Sequence, residues 1–179
     1  LGEYSLYQCT QITTIVIPGK ITTIGQKAIS ECSNLTTVSY PTTITKDDPT
    51  VFDGCSQLNR IEFTGEGSTI NYSSTEAMPW RDAKDTITTI KFNTGVNSIG
   101  NYLCDGCTAL QTIEWNEEIT TIGNNAFKGC ISLGNQELKS SVKTIGTNAF
   151  SGCSNMKSIS LNNVETIGSN AFASSGLTS

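Results

Sequence analysis

A cysteine recurs at a fixed interval along the chain, and this interval constrains the fold more than any other feature. Two runs of three cysteines occur: Cys9, Cys32 and Cys55, then Cys107, Cys130 and Cys153. Within each run, the sequence number rises by 23 from one cysteine to the next. From Cys55 to Cys107 it rises by 52, which is twice 23 plus six. A fixed period of this size is the signature of a repeat protein.

Apolar residues recur at fixed positions after each cysteine, which we number as position 0. The unit that begins at Cys107 has apolar side chains at positions 3, 6, 8, 12, 15, 19 and 20: Leu110, Ile113, Trp115, Ile119, Ile122, Ala126 and Phe127. Positions 6 and 8 alternate as on one face of a β-strand. Lys84 fills position 0 of the unit before Cys107, and the last unit is one residue shorter. The six additional residues therefore fall in a predicted inserted loop over residues 65–83.

This unit predicts a leucine-rich-repeat solenoid that is mostly β, with short parallel strands and a short return segment. Glycine follows position 15 in most units, which favours a sharp turn or a positive φ angle. The following x-x-Ala-Phe-x-x-Cys segment predicts one helical or 3₁₀ turn. Periods of about 20 to 29 residues are typical of leucine-rich repeats. Residues 1–179 are predicted to form a single solenoid of about seven to eight repeats, cut within a repeat at both ends.

The cysteines at position 0 are predicted to form a buried structural ladder, since they occupy the same place in successive coils. Disulfides between neighbouring coils are the alternative, because stacked coils lie within disulfide range. In-register side chains point the same way, however, and seven cysteines cannot all pair. A metal site would need Cys and His at short spacing, and the chain has no histidine. We predict neither a metal site nor a cofactor.

Composition and charge exclude several classes of function. The net charge of −5 with only 11 Lys and Arg is poorly suited to nucleic-acid binding. No apolar run approaches the roughly 20 residues of a membrane helix, so no membrane insertion is predicted. Without histidine, Ser-His and Cys-His nucleophilic pairs are excluded, and no phosphate-binding glycine loop is present. We predict no catalytic residue and no enzyme activity.

The segments ITTIGQKAI, SIGNYLCDGC, TIGNNAFKGC and TIGTNAFSGC resemble the BspA-like (Treponema pallidum-type) leucine-rich repeat. The resemblance covers essentially the whole chain, including AMPWRDAKDTITTIKFNTGVNSIG, which is similar to a Pro-Trp-containing element of bacterial members. It implies a right-handed solenoid and an extracellular or cell-surface location on host-associated microbes. It also implies adhesion to host matrix proteins or to other cells, and therefore a protein partner.

Two surfaces are candidates for partner binding. The outward strand positions 5, 7 and 9 form a polar platform, on which the predicted contact residues are Arg60, Glu62, Lys91, Glu114 and Glu137. The alternative for this face is a solvated, threonine-rich sheet surface. The inserted loop contributes Tyr72, Trp80 and Arg81, and its alternative is that Trp80 packs over the core of a wider coil. The function is predicted to be protein interaction in adhesion, with a structural spacer or a glycan-binding module as alternatives.

Polar residues break the apolar pattern in two units. Asp47 and Asp48 replace Ile and Gly at positions 15 and 16, and with Asp53 they form a small acidic group. Its spacing fits no EF-type calcium loop, so a local outward bulge is predicted. Gln136 occupies core position 6, where a buried amide needs several hydrogen bonds. We expect a backbone contact there, or a shift that exposes the side chain.

Overall fold

The structure is a computed structural model that describes residues 1–178. Its regular elements are short strands, numbered in chain order: β1 (Thr14–Val16), β2 (Thr23–Ile24), β3 (Thr37–Pro41), β4 (Lys46–Asp47), β5 (Arg60–Thr64), β6 (Gly67–Ser68), β7 (Thr89–Phe92), β8 (Val96–Ile99), β9 (Thr112–Glu114), β10 (Thr121–Ile122), β11 (Gln136–Glu137), β12 (Thr144–Ile145), β13 (Ile159–Ser160) and β14 (Thr166–Ile167). They pair in parallel, coil upon coil, so the chain is a β-solenoid.

The strands form two rows. The first row is a five-stranded sheet, β1-β3-β5-β7-β9, followed by the separate pair β11-β13. The second row is the pair β2-β4, followed by the five-stranded sheet β6-β8-β10-β12-β14. The alternation at positions 6 and 8 predicted the strands of the first row, and the second row was missed because most of its strands have two residues, too few to show alternation.

The strand registers reproduce the period of the sequence. Ile15 lies beside Val38, which is the same interval that separates successive cysteines. Ile61 lies beside Ile90, an interval that is longer by six. The repeat that begins at Cys55 is therefore six residues longer than its neighbours, and we call it the long repeat. In the last coil Thr144 lies beside Thr166, so the interval there is shorter by one.

The segment before each cysteine is a run of turns. In most coils two of its residues have positive φ angles, as Asn125 (55°) and Gly129 (71°) do. Asparagine and glycine tolerate this conformation best, which explains their recurrence here. The predicted helical or 3₁₀ turn occurs, within residues 1–178, only in the long repeat, at Thr75–Ala77 and Arg81–Ala83.

The glycine after position 15 serves close packing between coils. None of these glycines has a positive φ angle, contrary to one of the two expectations. A Cβ atom on Gly123 would lie 2.7 Å from the carbonyl carbon of Gly100 in the neighbouring coil. Each glycine therefore allows two backbones to approach more closely than any larger residue would permit.

The position-0 cysteines lie along the core, where five are buried and Cys9 is half-buried. The thiols of Cys130 and Cys153 each donate to a backbone carbonyl of the neighbouring coil at 3.2 Å. Cys32 and Cys55 make the equivalent bond at 3.2 and 3.3 Å. Burial raises the pKa of Cys55 and Cys153 to about 12, which keeps them protonated as donors. All seven cysteines are free.

Candidate interaction surface

The outward side chains of the sheet β1-β3-β5-β7-β9 form a polar surface that we call the sheet face. Burial alternates along β5 and β7, so Ile and Phe point into the core and polar residues point outward. In-register pairing aligns the outward residues in two rows: Thr14, Thr37, Arg60, Thr89 and Thr112, and Val16, Ser39, Glu62, Lys91 and Glu114.

Four of the predicted contact residues meet in the middle of the sheet face. The Arg60 guanidinium reaches across β7 to Glu114, with Nη1 and Nη2 at 2.8 and 3.1 Å from its two carboxylate oxygens. Its Nε donates to Glu62 at 2.7 Å. Lys91 lies between the two glutamates in the strand register. These four residues form what we call the charged cluster.

The charged cluster is an ordered arrangement of partly exposed ions. The hydrogen bonds from Arg60 hold the pKa of Glu114 below its usual value, because they favour the carboxylate. A bidentate arginine–carboxylate pair also has a defined geometry, unlike most surface ion pairs. The sheet therefore presents these charges in a fixed pattern.

Glu137 is separated from the charged cluster by an interruption of the first row. β9 does not pair with β11, and no backbone hydrogen bond joins residues 112–115 to residues 135–138 in the described chain. Glu137 instead lies exposed on β11, beside Ser160 of β13.

The side chain of Gln136 occupies the place where this pairing stops. It is 8% exposed, and its Nε2 donates to the carbonyls of Gly134 and Asn135 at 2.9 and 3.1 Å. Its Oε1 accepts from Nε1 of Trp115 at 3.0 Å. The expected backbone contact is confirmed, and the amide remains buried.

Trp115 is a candidate contact residue that the sequence reasoning missed. Position 8 is fully buried in the preceding coils, as at Phe63 and Phe92, so Trp115 was assigned to the core. It is half-buried, stacks on Phe92 at a centroid distance of 6.0 Å, and borders an open groove of about 330 Å³ with Glu137 and Lys139. The polar Gln136 in the next unit was the signal that the coil changes here.

The aromatic residues of the long repeat lie in the core, which corrects their prediction as contact residues. Trp80 is 0% exposed, and its Nε1 donates to the carbonyl of Leu103 at 3.0 Å. Its ring packs edge-on against Tyr40 and Tyr72 at 5.4 and 5.7 Å. The large indole surface is more stable in the core once its N–H has an acceptor, so the alternative of packing over the core describes Trp80.

The remaining predicted residues of this region act within the fold. Arg81 pairs with Asp53 at 2.9 Å, and both side chains are about one-fifth exposed, at 19% and 20%. Asp48 accepts from the backbone N–H of Thr50 at 2.9 Å, whereas Asp47 points into the core. The three acidic residues therefore have separate partners: Arg81 for Asp53, Thr50 for Asp48 and Tyr72 for Asp47. The prediction of an outward bulge is wrong. Within residues 1–178 no group of three or more His, Cys, Asp or Glu is arranged to hold a metal ion.

Repeated coils of this length, with two rows of short parallel strands and a buried cysteine ladder, define a leucine-rich-repeat solenoid. The family model described as the BspA type leucine rich repeat region matches the chain in six copies, over residues 1–79 and 82–179. The chain therefore belongs to the BspA-type leucine-rich-repeat family.

A solved structure of the family shows the same fold. The chain is similar to the T. pallidum leucine rich repeat protein TpLRR, with 24% identity and a TM-score of 0.62 over 87% of this chain and 73% of that one. It is also similar to a leucine-rich repeat protein from Bacteroides ovatus (19% identity, TM-score 0.45, 90% of this chain and 58% of that one) and to the pneumococcal vaccine antigen PcpA (17%, 0.48, 94% and 56%). No curated protein matches the chain. No helix within residues 1–178 has the length and apolar character needed to cross a membrane.

Proposed function

We propose that the chain is a non-catalytic protein-interaction module whose contact surface is the sheet face, extended by the Trp115 groove. The observation that carries this proposal is the charged cluster, in which Arg60 is held by two carboxylates in the middle of an exposed parallel sheet. Solenoid proteins use such extended multi-coil surfaces for binding, rather than a deep pocket.

The fixed geometry of the cluster supports selective recognition. Arg60 is already ordered in the unbound chain, so a partner that contacts it loses less side-chain entropy on binding. Lys91 and Glu114 present opposite charges at neighbouring positions, which favours a partner with the complementary order of charges. Glu137 and Lys139 extend this pattern beyond the interruption, next to the exposed edge of Trp115.

We further propose that the module belongs to a microbial cell-surface or secreted protein and contributes to adhesion. Membership of the BspA-type family supports this location, and a host matrix protein or a protein of a neighbouring cell is the corresponding partner. Tyr72 and Trp80 cannot serve as exposed platforms for glycan binding, since both are buried.

The proposal is tested by binding of the purified chain to immobilised host matrix proteins and to whole cells. Lys91→Glu reverses a charge within the cluster and is expected to lower affinity roughly tenfold or more. Lys143→Glu is the matched control, because Lys143 directly precedes β12 of the second row and pairs with Glu165 at 3.0 Å. Equal binding by both variants would place the contact surface elsewhere.

Two further results would identify the alternatives. If the wild-type chain binds neither protein nor cell, the structural-spacer function is supported instead. A glycan array probed with wild type and Trp115→Ala tests sugar recognition, because Trp115 is the tryptophan that borders an open groove. Loss of glycan signal in that variant alone would favour the glycan-binding module.

A further inference from the structure

Asp47 occupies a core position that other coils fill with isoleucine. β4 pairs with β2 so that Asp47 lies beside Ile24, and the equivalent position in later coils is held by Ile99, Ile122 and Ile145. The pattern of the repeat therefore places a carboxylate against the apolar interior, where Asp47 is half-buried. Such a group is costly unless the protein surrounds it with hydrogen-bond donors.

Two phenol groups supply those donors. The hydroxyls of Tyr40 and Tyr72 both donate to Oδ2 of Asp47, the bond from Tyr72 measuring 2.8 Å. The indole of Trp80 packs edge-on against both tyrosines. We call these four residues the Asp47 cluster.

The Asp47 cluster joins two coils where strand pairing is interrupted. β4 does not pair with β6, so the second row has no backbone connection between the second coil and the long repeat. Tyr40 and Asp47 belong to the second coil, whereas Tyr72 and Trp80 belong to the long repeat. The bond from Tyr72 to Asp47 therefore connects the two coils directly beside this interruption.

We propose that Asp47 is a proton-sensitive latch that sets how firmly residues 69–83 of the long repeat are held against the second coil. This inference is independent of the proposed function, because it concerns the far side of the coil from the charged cluster. The carboxyl group of Asp47, which accepts hydrogen bonds from two phenols, binds or releases the proton.

The chemistry of the cluster gives the direction of the response. Burial raises the pKa of Asp47, while the hydrogen bonds from Tyr40 and Tyr72 oppose this and the neighbouring Asp48 adds slightly to it. Burial also keeps the pKa of both phenols well above the usual value, so they remain protonated donors. We call the state in which Tyr72 is bonded to Asp47 closed, and the state without this bond open. A carboxyl with a raised pKa binds its proton more readily in the closed state than in the open state. The closed state is therefore most stable below this pKa and loses stability as the pH rises through it.

Opening of the latch would expose an aromatic surface. Trp80 and Tyr72 are buried while the latch is closed, and both lie in the segment that would move. The latch thus couples the exposure of two large aromatic side chains to the proton concentration around the protein.

Amide hydrogen exchange of the intact chain tests the latch. We follow the peptide that covers residues 69–83 at about pH 3.5, where a carboxyl with a raised pKa is protonated, and at about pH 7.5, corrected for intrinsic exchange rates. In the wild type, opening is expected to be several-fold more frequent at the higher pH. Asp47→Asn is expected to show a smaller ratio than the wild type, since the Asp53–Arg81 pair, which also joins this segment to the second coil, remains in both. Asp48→Asn is the matched control and keeps the wild-type ratio, since it removes only the weakest cause of the shift.

A second measurement does not depend on the stability of the Asp47→Asn variant. The side-chain ¹³C resonance of Asp47 is titrated by NMR in the wild type and in Tyr72→Phe. The midpoint is expected above the ordinary value of about 3.9, and higher again once the Tyr72 donor is removed. A midpoint at or below the ordinary value, or the same exchange ratio in Asp47→Asn and wild type, would overturn the proposal.

Discussion

Two polar side chains occupy core positions of this solenoid, and a strand row is interrupted beside each. Asp47 lies where the second row stops between β4 and β6, and Gln136 lies where the first row stops between β9 and β11. Both are satisfied by aromatic donors: Asp47 by the hydroxyls of two tyrosines, and Gln136 by Nε1 of Trp115.

The two interruptions differ in what surrounds them. At Asp47 the long repeat, which has six additional residues, contributes Tyr72 and Trp80 to the core, and Trp80 is 0% exposed. At Gln136 the preceding repeat has the ordinary length, so Trp115 remains half-buried next to an open groove. The extra aromatic side chains of the long repeat therefore fill the core beside Asp47, whereas the half-buried Trp115 leaves a surface groove beside Gln136.

The largest expected effect tests this contrast through the two tryptophans. Trp80→Ala removes a fully buried ring that contacts Tyr40, Phe63 and Tyr72, and is expected to cost about 3–5 kcal/mol. Trp115→Ala is the matched variant and is expected to cost clearly less, because part of its ring is already in water. Urea unfolding measures both. Equal losses would mean that the two interruptions are packed alike.

The sequence could predict only those features that recur. The period, the inward alternation of β5 and β7, and the cysteine ladder follow from the spacing, because each coil gives the same position the same surroundings. The burial of Trp80 and the bond between Tyr72 and Asp47 could not be predicted in this way, since these residues have no counterpart in neighbouring units. The groove at Trp115 depends on Gln136, a single departure from the pattern.

A glycine substitution measures how much the close approach of neighbouring coils contributes to stability. The glycine after position 15 faces the preceding coil, as Gly123 faces Gly100, and Asp48 replaces it in the second coil, where β4 still pairs with β2. Gly123→Ala places a Cβ 2.7 Å from backbone atoms of the neighbouring coil and is expected to cost about 1–3 kcal/mol. Gly134→Ala is the control, as its nearest neighbour would be 3.8 Å away.

Urea unfolding measures both variants, and hydrogen exchange of the β10 amides shows whether the added Cβ loosens the pairing of β10 with β8. Persistent protection and equal stability of the two variants would show that close packing does not need this glycine.

Gln136→Ile should restore strand pairing between β9 and β11, as in a regular coil. The substitution restores an apolar residue at position 6, and the half-buried Trp115 N–H gains water as its acceptor. We expect a gain of about 1 kcal/mol in the free energy of unfolding. We also expect slower hydrogen exchange at Ile113 and Trp115, as β9 pairs with β11. Unchanged exchange would show that Gln136 is a consequence of the interruption and not its cause.

The smallest expected effect contrasts Asp47 with a carboxylate on the surface. The pKa of Glu114 is lowered by Arg60, so its contribution to stability is present above the unfolded pKa and is lost as the pH falls through the folded value. This direction is opposite to that of Asp47. Because the Glu114 side chain is 42% exposed, solvent screening keeps the contribution well below ~1 kcal/mol. Glu114→Gln should therefore approach wild-type stability in acid, and the same substitution in an Arg60→Ala background should have a smaller effect, because only Lys91 is left to favour the carboxylate. An undiminished pH dependence in that background would show that Arg60 is not what holds Glu114 ionised.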